Sequence, residues 1–299
     1  MSGKIIAVAN MKGGVGKTAT VVGLAEALAA SGNSVLVIDL DAQANASICI
    51  AGDTMLADLM RRQCTIDAFI SDFLHNGSSI TFDDCIRSNV SNVTHLGNQL
   101  PLSLLASSPA LRDLEHKLVH VLTRKNTSWE QIVDALWALM KLQLQRTKKH
   151  FDYVIIDCAP GISVLTEVSV RLADLVIVPT IPDFLSTFGL DAFCTSMWER
   201  SLGSAKAKTP KRPPHVLATR CRQVRIHQKT IDHLRTTAEA EKAPFWMFKT
   251  TIPETVAIAD ALGQINQYPP FASKWTPAIV GHLNDLMTEI QERLNGDQS

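Results

Sequence analysis

The sequence has no run of about 18 apolar residues, and no basic segment leading into an apolar one near its start, so neither a membrane-crossing helix nor a secretory leader is expected. A cytoplasmic protein is the expectation. It also lacks any C-x-x-C pair: its six cysteines, Cys49, Cys64, Cys85, Cys158, Cys194 and Cys221, are scattered. That argues against a zinc site or a disulfide framework and favours reduced, packed thiols. An excess of one charge sign is missing too, with 29 Lys plus Arg against 29 Asp plus Glu. The total therefore suggests no polyanion partner, although a balanced sum can hide a local imbalance. No internal repeat or long low-complexity segment breaks the pattern.

What is present is ample apolar material, 46% of 299 residues, in strand-like runs that alternate with helical patterns. Strands are expected at Lys4–Ala9, Ser34–Asp39, Tyr153–Asp157, Leu175–Pro179, His215–Thr219 and near Phe245–Lys249. Several are continuously apolar, as strands covered on both faces must be. The fold expected is α/β: a doubly wound, mainly parallel sheet with helices on both faces. One helix is expected over Ala19–Ala30, stopped by Gly32, and another over Thr276–Leu294. Between them, Leu111, Leu114, Leu118 and Leu122 form one stripe. Trp129, Ile132, Val133, Leu136 and Met140 form a second, opened by Ser128 with Gln131 at capping-box spacing.

The chemistry begins at Lys12-Gly13-Gly14-Val15-Gly16-Lys17-Thr18, directly between the first strand and the first helix. A glycine-rich turn at a helix N-terminus lets backbone N–H groups converge on phosphate oxygens. Lys17 then neutralises charge at the β/γ position, and the Thr18 hydroxyl is suited to Mg²⁺. Ala19 completes the cradle. The general phosphate-loop pattern asks for glycine where Met11 stands; a second lysine, Lys12, opens this loop instead. Asp39 and Asp41, in Asp39-Leu-Asp41-Ala-Gln43-Ala-Asn45, fall just beyond the second strand, at the sheet edge where ligands bind. Asp157 ends the apolar strand Tyr153–Asp157, where a carboxylate is able to hold Mg²⁺ through water.

Lys12 to Thr18 resembles the deviant Walker A loop of the ParA/MinD family. Asp39 to Asn45 resembles that family's D-x-D-x-Q-x-N stretch, and Asp157-Cys-Ala-Pro-Gly161 its γ-phosphate switch in slightly altered order. Shorter likenesses run through Leu102–Pro109, Ala173–Pro179 with Phe188-Gly-Leu190, and Thr251-Ile252-Pro253. The resemblance implies a single P-loop ATPase domain over residues 1–299, with a helical insertion at about 111–148 and no N-terminal helix-turn-helix domain. It implies ATP and Mg²⁺ as cofactors. Lys12 would reach a partner's nucleotide in an ATP-bound homodimer, and Asp41 would orient the attacking water. Asp39 would support the magnesium shell, while Ile252 and Pro253 would pack around adenine.

The local imbalance lies between Ser204 and Thr250. Eleven basic residues, Lys206, Lys208, Lys211, Arg212, Arg220, Arg222, Arg225, Lys229, Arg235, Lys242 and Lys249, face only Asp232, Glu239 and Glu241, an excess of eight. Such an excess suits contact with a phosphate backbone, insensitive to sequence and sensitive to salt; a solvated charged face is the other reading. The resemblance implies non-specific DNA binding through Arg220, Arg222, Arg225, Lys229 and Arg235, nucleoid association in the ATP state, and a ParB-like or cargo-adaptor partner that stimulates hydrolysis. A MinD-like membrane-surface switch would need a basic amphipathic C-terminal helix, which Thr276–Leu294 does not supply. A metabolic P-loop enzyme is the third alternative.

Overall fold

The computed structural model describes residues 3–76, 79–114, 117, 128–199, 210 and 212–296. Strands are β1 (Lys4–Val8), β2 (Val35–Leu40), β3 (Thr94–His95), β4 (Asn98–Gln99), β5 (Leu102–Leu105), β6 (Tyr153–Cys158), β7 (Leu175–Thr180), β8 (His215–Cys221) and β9 (Trp246–Pro253). Helices are α1 (Lys17–Ala30), α2 (Asn45–Arg61), α3 (Ile66–Asn76), α4 (Phe82–Cys85), α5 (Trp129–Thr147), α6 (Val164–Leu172), α7 (Phe184–Cys194), α8 (Arg225–Ala238), α9 (Val256–Gly263), α10 (Phe271–Lys274) and α11 (Thr276–Asn295).

Seven strands form one sheet in the order β5-β2-β6-β1-β7-β8-β9. Every pairing in it is parallel. Side chains alternate across each strand, so β1 sends Ile5 and Ala7 to one face and Ile6 and Val8 to the other. The first face is covered by α3, α5, α6, α7 and α8 through residues such as Phe69, Leu136, Val168, Phe193 and Leu234. The second is covered by α1, α2, α10 and α11 through Leu24, Ile50, Phe271 and Leu286. Both faces are thus dry, which is why these strands read as unbroken apolar runs.

The six expected strands are present, joined by β5 at the edge. Helix α1 stops as expected: Gly32 takes φ 87°, where a side chain would be strained. The expected capping box opens α5, with Ser128 N–H donating to Gln131 Oε1 at 2.9 Å and Gln131 N–H donating to Ser128 Oγ at 3.4 Å. Ile132, Val133, Leu136 and Met140 of its stripe are buried. Leu118, Leu122 and the Trp129 side chain lie outside the described residues. Ahead of the first stripe, β3 and β4 form an antiparallel hairpin that the sequence did not announce. Among the described residues, no helix is long and apolar enough to cross a membrane.

Candidate functional site

β1 ends beside β6 on one side and β7 on the other, so the chain's direction of winding reverses there. A crevice opens at the carboxyl edge of such a switch point. The glycine-rich loop fills it. Gly14 and Gly16 adopt φ 74° and 88°, which turns the chain from strand into α1, the loop geometry whose backbone N–H groups suit a phosphate. The Lys17 ammonium bridges the loop, donating to Lys12 O at 3.0 Å. Burial lowers its pKa, opposed by the nearby carboxylates of Asp157 and Asp41.

Parallel register sets Asp39 of β2 directly opposite Asp157 of β6. Thr18 Oγ1 donates to Asp157 Oδ2 at 2.9 Å. Asp157 Oδ1 is buried with no hydrogen-bond partner. Burial and then the charge of Asp39 push this carboxyl well above the ordinary range, partly offset by Thr18 and Lys17. A buried carboxylate with an orphaned oxygen, next to a hydroxyl and a phosphate loop, fits a hard divalent cation that keeps some of its waters.

Asp39 does different work. Its Oδ2 accepts Ser47 N–H at 2.9 Å and Ser47 Oγ–H at 2.7 Å, while Oδ1 accepts Asp41 N–H at 3.0 Å. It pins the 41–47 loop to the sheet edge, and burial pushes its own pKa up to about 6. Asp41 stands half-buried at the front of that loop, its Oδ1 accepting Gln43 N–H at 2.9 Å.

Beside the loop lies a cavity of about 410 Å³, walled by Gly16, Ala19, Ile252, Pro253, Ile258 and Trp275 among others. The structure therefore brings the expected base-contacting residues to the flank of the phosphate loop. Its lining is chiefly apolar, as a site for a flat aromatic base requires. The floor is braced from behind by Glu26 of α1, which accepts from Lys274 Nζ at 2.7 Å and Trp275 Nε1 at 2.5 Å. The sequence reading missed this buried triad, since its members are 248 and 249 residues apart.

Among the described residues of the basic stretch, Arg212 stands apart from Arg220 and Arg222. Arg220 and Arg222 sit at the ligand edge of the sheet, paired with Glu254. Arg225 and Lys229 are exposed on α8. Arg235 is half-buried and donates to Lys249 O at 3.3 Å, and Arg212, before the opposite end of β8, donates to Arg293 O. The length of β8, roughly 20 Å, separates Arg212 from Arg220 and Arg222. Lys206, Lys208 and Lys211 lie outside the described residues. Cys158 is fully buried, and that burial raises its thiol pKa, as befits a packed side chain.

The parallel sheet, the left-handed glycines, the bridging lysine and the Thr18–Asp157 pair define a P-loop nucleotide-binding protein. A family model described as an AAA domain matches residues 3–201. The chain belongs to this family, and within it to the ParA/Soj branch. It is 31% identical over 188 residues to the sporulation initiation inhibitor protein Soj of Bacillus subtilis, a match covering 63% of this chain and 62% of that protein. The chain thus spans less than two thirds of that relative's length. Among solved structures, a plasmid partition protein of Borrelia burgdorferi bound to AMPPNP superposes with TM-score 0.69 at 20% identity, over 97% of this chain and 99% of that one. The pNOB8 ParA bound to nonspecific DNA gives TM-score 0.68 at 19% identity, over 99% and 100%. At these identities the structural likenesses establish the fold.

Proposed function

We propose that residues 1–299 act as one ParA-type ATPase domain, with a helical insertion at about 111–148, that dimerises on ATP. The dimer binds DNA without sequence preference and serves the segregation or positioning of a cargo. The observation that carries this reading is Lys12. It stands at the outer rim of the phosphate loop, 38% exposed, while Lys17 alone spans the loop interior. Next to it Phe184, Leu185 and Phe188 are 70% exposed or more, an apolar face suited to a second copy of the chain.

In this reading the loop N–H groups and Lys17 hold the β- and γ-phosphates. Thr18 and Asp157 would hold Mg²⁺, which when bound supplies positive charge against the phosphate oxygens. Asp41 orients the attacking water, Asp39 fixes the Asp41 loop and supports the magnesium shell, and the Ile252–Pro253 wall receives adenine. Lys12 reaches across to the partner's nucleotide. ATP acts as the differential ligand that shifts monomer towards dimer, and hydrolysis, stimulated by a ParB-like or adaptor protein, reverses the shift. The protein resides in the cytoplasm, on the nucleoid in its ATP form. The DNA-bound pNOB8 relative supports this partner class.

The test is Asp41→Ala, examined by size exclusion and by gel shift on unrelated DNA, with and without ATP. It should accumulate as an ATP-dependent dimer that stays on DNA longer than wild type. Failure in both assays would overturn the reading.

A further inference from the structure

Arg220 lies near the end of β8 and Arg222 just past it, and both guanidiniums converge on Glu254, the residue following β9. Arg220 donates to Glu254 Oε1 through Nε at 3.0 Å and Nη2 at 2.5 Å, and Arg222 Nε donates to Oε2. These bonds, Arg222's first and then Arg220's, hold the Glu254 carboxyl down at about 2. One carboxylate between two guanidiniums leaves a net positive charge. Each guanidinium has five N–H donors, so much of their capacity is uncommitted, and the side chains are 48% and 62% exposed. This is an anion site with an internal anion already in it.

Both ends of the cluster are tied to the nucleotide site. Arg220 Nη1 donates to Gly14 O, in the phosphate loop, at 3.1 Å. Arg220 itself holds φ 51°, a left-handed conformation that persists only where its surroundings enforce it. Glu254 follows Pro253 and shares the wall of the base cavity. On the other side, Arg222 N–H donates to His227 Nδ1 at 3.0 Å, fixing the arginine pair to α8, where Arg225 and Lys229 are exposed.

We propose that Glu254 is an internal stand-in for a nucleic-acid phosphate. It masks an anion site made by Arg220 and Arg222, and nucleotide seated against Gly14 and Pro253 frees that site for the phosphodiester backbone of DNA. This rests on the ATPase and DNA reading above and supplies its switch. A carboxylate and a phosphate compete for the guanidinium edges that Glu254 occupies, so at those edges they exclude each other.

The experiment measures fluorescence anisotropy of a labelled random-sequence duplex against the full chain across a salt series, without nucleotide and with ATP. Glu254→Gln removes the charge and keeps the shape. Without nucleotide it should bind DNA about tenfold more tightly than wild type, the scale of one charge-assisted contact. Its plot of log affinity against log salt should steepen by about one to two. With ATP the two proteins should converge. Adding Arg222→Ala to Glu254→Gln should abolish the gain, with thermal melts confirming that both variants fold. Unchanged nucleotide-free binding in Glu254→Gln, or a gain that survives Arg222→Ala, overturns the mask while leaving ATP-dependent DNA binding by wild type intact. If neither protein binds DNA in any nucleotide state, the DNA reading falls and the mask with it.

Discussion

The Lys12 ammonium donates to Ser186 Oγ at 2.8 Å and lies 3.8 Å from Asp183 Oδ1, although Lys12 and Ser186 are 174 residues apart. Asp183 also caps α7, accepting Ser186 N–H at 2.7 Å, so the lysine is docked on a fixed helix terminus. The lysine that opens the phosphate loop is thus held outside it, at the apolar face of Phe184 and Phe188.

Lys12→Ala should therefore separate binding from turnover. Affinity for a fluorescent ATP analogue should change little, while ATP-driven dimerisation weakens and hydrolysis falls about 100-fold, the scale of one lost transition-state donor. Sedimentation velocity and steady-state phosphate release check this. Equal losses in affinity and turnover would count against a role in trans.

Asp157→Asn should stabilise the nucleotide-free protein at neutral pH by about 1–3 kcal/mol, because it removes a buried charge whose Oδ1 has no partner. The wild-type carboxyl pKa is raised, so the folded state favours its protonated form. Its contribution to stability is whole below the unfolded pKa and declines as pH rises towards the folded one. The advantage of asparagine should accordingly grow between acid and neutral pH in urea unfolding. The same variant should lose the Mg²⁺ dependence of nucleotide affinity.

Lys274→Met should cost about 3–5 kcal/mol by leaving the Glu26 carboxyl without its cation in a fully buried position. Adding Glu26→Gln should recover most of that. Trp275 walls the cavity beside the phosphate loop and shares the Glu26 carboxylate, so its fluorescence in the single variant should respond less to nucleotide.

His215 is buried against Trp246 and Phe248, with ring centroids 4.9 and 5.6 Å away. Burial, with Arg293 near, pushes its pKa down to about 3. The folded state keeps it neutral, so stability is full above the ordinary histidine value and falls as pH drops from about 6.5 towards 3. The slope approaches about 1.4 kcal/mol per pH unit. His215→Phe should flatten that decline in chemical unfolding at pH 7, 6 and 5; an unchanged slope would remove His215 as its source.

The central strands were legible because each buries both faces and reads as an apolar run. The β3–β4 hairpin was not, since it turns on a leucine, Leu96, at φ 49°, a conformation its side chain gives no hint of. The phosphate loop and its three carboxylates were legible from local order. The division of labour among the carboxylates was not: Asp39 and Asp41 look alike in sequence, yet Ser47 claims one and leaves the other at the edge. That Arg212 stands apart from Arg220 and Arg222 was not legible either, because a strand, extended and counted residue by residue, carries its ends to opposite edges of the sheet.

The sequence by itself determined the glycine turn, the helix that follows it and the chemical types gathered near it, because these depend on backbone freedom and hydrogen bonds within a few residues. Only the tertiary structure decided that Asp39 stands opposite Asp157, that Lys12 meets Ser186 and that Arg220 and Arg222 share Glu254. Those pairings follow from parallel register and from crossovers that bring distant strand ends to one edge, and no local pattern encodes which ends will meet.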